Sequence, residues 1–216
     1  MIVSHQHRFI FFAVPRTATH SVRQTLRAHL GAEDWEQQML TARQTLPVQE
    51  LADLGHGHIS ARQARTHLPD DVWHSYFKFA FVRNPFDRFV SVCCFLNRGR
   101  PEFSGNEAAF MKRALSRPQF RRRVLVIPQT RLLMDAGGRS AMNYIGCYES
   151  LQSSYDEVCR HLGIPATSLT PANASAHHDY ARYYDDELTQ AVADFYAEDF
   201  AAFGYPRRPA AAGDPP

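Results

Sequence analysis

Residues 9 to 22, FIFFAVPRTATHSV, limit most tightly what this chain can become. An apolar strand stops at Pro15, and Arg16, Thr17, Ala18, Thr19, His20 and Ser21 follow before an amphipathic stretch opens. A strand that breaks into a short polar loop and restarts as a helix is an anion cradle. The first amides of a helix have no intrahelical acceptor and carry partial positive charge, so they suit a phosphate. Hydroxyls on Thr17, Thr19 and Ser21 and the fixed cation of Arg16 add donors. No glycine stands between Phe9 and Leu30, so the Gly-x-x-x-x-Gly-Lys-Ser/Thr loop of nucleoside triphosphatases is missing and an ordinary ATP site is not expected.

A second phosphate signal lies at FKFAFVRNPFDRFVS, residues 77 to 91. Arg83 closes an aromatic-rich strand and Ser91 follows eight residues later on the next helix. At that spacing a planar guanidinium fork and a hydroxyl can converge on one phosphate. Asp87 and Arg88 read as a structural ion pair and Arg83 as the ligand-binding cation. Together the two motifs imply a nucleotide with two separate phosphate groups. The formal net charge of +2 gives no global field calling for nucleic acid. Charge is nevertheless uneven, with no carboxylate before Glu33 and seven between residues 179 and 199, so the N-terminal part is expected to face the anionic ligand.

A length of 216 residues, 44% of them hydrophobic, is enough for one α/β domain, placed at residues 1–205. Strands are expected at Phe9 to Val14, Tyr76 to Val82, Val124 to Ile127 and Asn143 to Gly146. Helical stripes fill the intervals: Val22, Leu26 and Leu30 before Gly31; a short basic helix from Ser60 to His67; Phe89, Val90, Cys93 and Leu96; Phe110, Met111, Ala114 and Leu115 before Pro118. Leu151, Tyr155, Val158 and Leu162 are closed by Gly163, and Leu188, Val192, Phe195 and Phe203 by Gly204. Alternating strands and helices predict a mostly parallel central sheet flanked by helices.

The tail from Pro206 to Pro216 is expected to be disordered. No apolar run reaches the roughly 20 residues of a membrane span, and His5, His7 and Arg8 lead straight into a strand without a secretion leader, so a cytoplasmic location is expected. Cysteines 93, 94, 147 and 159 lack metal-type spacing and read as buried thiols. Asn173-Ala-Ser175 matches a glycosylation acceptor, a pattern without meaning in a cytoplasmic chain.

VPRTATHS and FAFVRNPFDRFVS resemble the 5′-phosphosulfate loop and the 3′-phosphate motif of sulfotransferases that use 3′-phosphoadenosine 5′-phosphosulfate (PAPS), in the carbohydrate branch of that family. The resemblance continues through LGHGHIS at 54 to 60, IPQTRLLMDAGG at 127 to 138, YIGCYESLQSSYDEVCRHLGI at 144 to 164 and HHDYARYYDDELTQAVADFYAEDFAAFGY at 177 to 205. It implies a PAPS-dependent O-sulfotransferase with a nucleotide-kinase-like sheet and no metal, acting on a glycan or small-molecule hydroxyl and releasing 3′-phosphoadenosine 5′-phosphate (PAP).

By the same resemblance, Arg16 falls where the family usually has lysine, beside the bridging oxygen of the leaving phosphate. Thr17, Ala18, Thr19, His20 and Ser21 line the 5′-phosphate, and Arg83 and Ser91 take the 3′-phosphate. Tyr148 lies where a family aromatic approaches the adenine. His58, after Gly57, occupies the place of the catalytic base, with His56 as its near neighbour, and Gln129 follows Pro128 in an element near the acceptor. The usual Lys-Thr-Gly-Gly/Ser-Thr-Ser loop is altered to Arg16, Thr17, Ala18, Thr19, His20 and Ser21, which narrows the room for close backbone approach. A protein that keeps the nucleotide site without transfer, and a small-molecule kinase, are the competing readings. The basic run Lys112, Arg113, Arg117, Arg121, Arg122 and Arg123 reads either as a solvated helix face or as a hold for an anionic acceptor.

Overall fold

Aromatic and β-branched side chains dominate Phe9–Phe12 and Phe77–Val82, and both segments become interior strands because a pleated ribbon buries such residues on its two faces. The computed structural model describes residues 1–37, 47–170 and 180–209. In chain order the elements are β1 (Ile2–Ser4), β2 (Phe9–Phe12), α1 (Thr19–Leu26), β3 (Trp35–Glu36), α2 (Gln49–Ala52), α3 (Ala61–His67), α4 (Asp70–Ser75) and β4 (Phe77–Val82). They continue with α5 (Pro85–Leu96), α6 (Glu107–Leu115), α7 (Pro118–Arg121), α8 (Thr130–Leu133), β5 (Tyr144–Cys147), α9 (Leu151–Leu162), α10 (Asp186–Phe195) and α11 (Ala197–Phe203).

The sheet order is β3-β1-β2-β4-β5. β2, β4 and β5 run parallel, with Phe9 opposite Phe77 and Val82 opposite Cys147. β1 joins β2 and β3 antiparallel, so the sheet is mixed where a mostly parallel one was expected. The missed part is a hairpin. The chain reverses between Ser4 and Phe9, and the Asp34 carboxylate ties the turn by accepting from the Ser4 hydroxyl (2.7 Å) and the amides of His5 (2.6 Å), Gln6 (3.1 Å) and Gly31 (2.9 Å).

Two compact units result. The first takes Met1–Val82 and Arg131–Ala172, the second Arg83–Thr130 and Asn173–Pro216. In the first, Phe9, Phe11, Phe79 and Phe81 pack under Val22 and Leu26 of α1 and Tyr155, Val158 and Cys159 of α9. Gly146 permits this closeness, because a Cβ there would sit 2.7 Å from both the Phe81 ring and Ser154 Cβ. Truncating a ring such as Phe11 to alanine is expected to cost about 3–5 kcal/mol. On the opposite face Trp73 of α4 meets Phe12 edge-on at 6.4 Å.

In the second unit Phe86, Phe89, Val90 and Cys93 of α5 pack with Met111 and Leu115 of α6 and Leu188, Val192 and Phe200 of α10 and α11. Val124 to Ile127, expected as a strand, forms turns. Its carbonyls are claimed by side chains: Arg88 donates to Leu125 O (3.2 Å) and Ile127 O (2.9 Å), and the Tyr196 hydroxyl to Val126 O (2.7 Å). The C-terminal stripe is two helices, parted at Tyr196.

Ser60 caps α3 through a full capping box with Gln63. Arg207 bonds the Ala193 carbonyl at 3.2 Å, so the start of the tail packs on the end of α10; residues 210–216 lie outside the described residues, as does Asn173-Ala-Ser175. Cys93 and Cys159 are buried and Cys94 and Cys147 half-buried, and no disulfide links the four. No helix among the described residues is long and apolar enough to cross a membrane.

Candidate active site

In the first unit the anion loop is made by the backbone. Past β2, Arg16 (φ 66°) and Ala18 (φ 57°) both adopt the left-handed conformation that favours glycine. Non-glycine residues there store of order 1 kcal/mol or more each, a strain that concentrates at functional sites. Ala18 is the N-cap of α1 and offers no side-chain acceptor. The first helical bond runs from Val22 N to Ala18 O, so the amides ahead of it have no helical acceptor, and the opening turn holds no acid.

This is the charge pattern of an anion site. The Thr17 hydroxyl, expected as a ligand donor, donates to Val14 O at 3.0 Å and so closes the loop. Ser21 is buried, Arg16 and Thr19 are half-buried and His20 is exposed.

His58 stands beside this loop. Its Nδ1 lies 2.6 Å from the Ala13 carbonyl, two residues ahead of Pro15. A carbonyl only accepts, so Nδ1 carries the proton and Nε2 is left as the lone-pair nitrogen. Burial pushes the imidazole pKa down to about 3, which keeps it neutral at physiological pH. Gly57 allows the approach, since a Cβ there would overlap Gln37 O and the Arg23 guanidinium.

His56 is brought near, with ring centres 6.1 Å apart. Among the described residues its Nδ1 is buried without a hydrogen-bond partner, unlike the His58 Nδ1 held by Ala13 O. Tyr148 opens a short turn after β5 and is half-buried.

In the second unit Arg83 is held by its backbone and by its guanidinium. Gln129 brackets the backbone, its Oε1 accepting from Arg83 N (3.0 Å) and its Nε2 donating to Arg83 O (2.9 Å). Asp199 anchors Gln129 in turn, accepting from the amides of Gln129 (2.8 Å) and Thr130 (2.9 Å). Gln129, expected near the acceptor, is fully buried, with its side-chain amide spent on the Arg83 backbone.

Arg83 Nε (2.8 Å) and Nη2 (2.7 Å) both meet Asp87 Oδ2. The ion pair expected between Asp87 and Arg88 is therefore an Arg83–Asp87 pair, because Arg88 is turned inward to the Leu125 and Ile127 carbonyls. Burial raises the Asp87 pKa against the opposing pull of Arg83, and among the described residues Oδ1 is buried without a hydrogen-bond partner. Asn84 caps α5 by accepting from Phe86 N (3.0 Å), with Pro85 in the first turn. Ser91 lies on α5 as expected and is completely buried.

A model of the sulfotransferase family matches residues 1–206. The chain belongs to the sulfotransferase family. No curated protein and no solved structure gives a significant match. Family membership gives the arrangement a general chemistry, sulfuryl transfer by a transferase. In this sulfotransferase the loop, with its left-handed Ala18, reproduces a glycine-like backbone without glycine.

Sequence reasoning missed Ala13, Asp199 and Arg23. Ala13 acts through its carbonyl and Asp199 is 70 residues from its partner, so neither leaves a local pattern. Among the described residues no group of three or more His, Cys, Asp or Glu could hold a metal ion.

The sulfotransferase's basic run resolves into two kinds of cation. Lys112 pairs with Asp185 at 2.7 Å and with Glu187. Arg113, Arg117, Arg121, Arg122 and Arg123 are exposed and pair with no carboxylate among the described residues. Three of them lie over rings, Arg113 over Phe110 (4.6 Å), Arg121 over Phe195 (4.7 Å) and Arg123 over Phe120 (5.7 Å).

Proposed function

We propose that the protein transfers the sulfuryl group of PAPS to an acceptor hydroxyl, on a carbohydrate, by in-line displacement. The observation that carries the reading is the His58 Nδ1 to Ala13 O bond, which fixes the tautomer with the lone pair on Nε2 next to the loop that opens α1, in an imidazole that burial keeps neutral. PAPS supplies a sulfuryl group already activated by its bond to phosphate. The acceptor oxygen bonds to sulfur as the bond from sulfur to the phosphate oxygen breaks, and that oxygen leaves with the electron pair on PAP. His58 Nε2 takes the hydroxyl proton, an effect of about 10²–10⁴ in rate. Arg16 and the amides opening α1 stabilise the charge that builds on the departing phosphate. Arg83 holds the 3′-phosphate, which separates PAPS from ATP.

The five exposed arginines, which meet no carboxylate among the described residues, support an acceptor that already carries carboxylate or sulfate groups, since a guanidinium matches both with two parallel N–H donors. The strained Ala18, at a position where the family usually has glycine, supports the competing reading of a nucleotide-binding protein without transfer. Transfer of labelled sulfate from PAPS, screened over anionic glycans, neutral glycans, lipids and phenols, tests the two. Product with a glycan supports the proposal; PAP binding with no transfer to any acceptor supports the alternative.

A further inference from the structure

We infer that Arg23 is a positioning residue for His58, holding the Gly57–His58 segment so that Nε2 is the nitrogen offered for proton transfer. This rests on the reading of His58 as the base.

Arg23 is 5% exposed and lies on α1, four residues past its first residue Thr19. Its Nη2 donates to Gly57 O at 3.2 Å, the carbonyl of the peptide that leads into His58, and the Met1 nitrogen donates to the same oxygen. Nη1 lies 3.8 Å from Glu36 Oε1, and Glu36 in turn is gripped by Arg27 at 2.7 and 3.0 Å. The guanidinium is thus aimed at Gly57 by a buried carboxylate on β3. Any side chain on Gly57 would occupy the same space, which makes the close approach of Arg23 and the absence of a Cβ one feature.

The helix that presents amides to the anion therefore also fixes the backbone of the proposed base. Ala13 O orients the ring and Arg23 orients the backbone that carries it.

Charge acts in the same direction. Burial opposes protonation of the imidazole most, the Ala13 bond favours it, and among the described residues Arg23 and His56 oppose it. Burial lowers the Arg23 pKa to about 10, so it remains a cation at neutral pH. A base must be neutral to accept a proton, and a buried cation beside it keeps it so.

The test is a ¹⁵N-histidine NMR titration of the full chain, which reads tautomer and protonation without any acceptor. The wild type is expected to show His58 as the Nδ1–H tautomer, neutral from pH 8 to pH 5. In Arg23→Gln the midpoint is expected to rise by about one unit or more and the other tautomer to gain population. Release of labelled sulfate from PAPS is expected to fall roughly tenfold in kcat, while PAP affinity stays within about twofold.

Arg23→Lys keeps the charge without the fork, so it is expected to restore the low midpoint while part of the tautomer shift remains. It also keeps the test open should the glutamine variant not fold. An unchanged tautomer and midpoint in a folded variant overturns the inference. A shifted tautomer with undiminished sulfate release overturns the reading of His58 as base and leaves the positioning by Arg23 standing.

Discussion

The loop at Ala13–Ser21 and the segment at Arg83–Ser91 are both read as phosphate sites, yet they are built on opposite principles. The first is made of backbone: two left-handed residues, uncapped amides at the start of α1, and a carbonyl that sets the tautomer of His58. The second is held by side chains: Asp87 pairs with the Arg83 guanidinium, Gln129 brackets the Arg83 backbone, and Asp199 accepts from the Gln129 amide. A backbone site presents dipoles that act on charge wherever it develops, which suits chemistry. A side-chain site holds one cation in one place, which suits recognition. The difference predicts that substitutions in the first region act on turnover and those in the second on affinity.

The largest effect is expected at His58. His58→Ala is expected to lower sulfate transfer by about a hundredfold or more with PAP affinity nearly unchanged, and His56→Ala to do less. Because burial holds the His58 pKa near 3, the neutral base persists well below the ordinary histidine range, and the transfer rate is expected to stay level from pH 8 to pH 5. A rate that halves near pH 6.5 would place the working base in an ordinary, solvated environment.

Arg16 comes next. Arg16→Ala removes a donor to the leaving phosphate, worth about 2.7–4 kcal/mol by analogy with oxyanion-hole deletions, so turnover is expected to drop about a hundredfold or more. Arg16→Lys keeps the cation and is expected to retain measurable transfer. Single-turnover sulfate transfer measures both, and a wild-type rate in Arg16→Ala would break the assignment of chemistry to the loop.

In the second region Arg83→Ala is expected to weaken PAP binding roughly tenfold to a hundredfold, from the loss of charge-assisted bonds worth about 1.5–3 kcal/mol. Calorimetry with PAP decides it. A loss confined to kcat would erase the contrast between the two regions. The smallest effect belongs to Ala18→Gly, which relieves a positive φ but loosens the unfolded chain; a gain of up to about 1 kcal/mol in stability is expected by thermal melting, and a drop would show that the loop conformation is not strained.

How much of this was legible follows the same division. The turn at Pro15, the strands at Phe9 and Phe77 and the cap at Ser60 were readable because each depends on neighbours in sequence. β1 and β3 escaped because they are three and two residues long and exist only through pairing and the Asp34 clamp. Val124 to Ile127 has strand composition, but Arg88 and Tyr196, far off in sequence, take its carbonyls. Arg83, His58 and Arg16 could be picked out by residue type and motif, whereas Gln129, which brackets Arg83, and Ala13, which orients His58, lie 46 and 45 residues from them.

The division between a loop that meets the 5′-phosphate and an arginine that reads the 3′-phosphate is tested most directly by titration calorimetry of wild-type protein with PAP and with AMP, which differ only in the 3′-phosphate. PAP is expected to bind at about micromolar strength and AMP at least about tenfold more weakly. Equal affinity for the two would contradict the account.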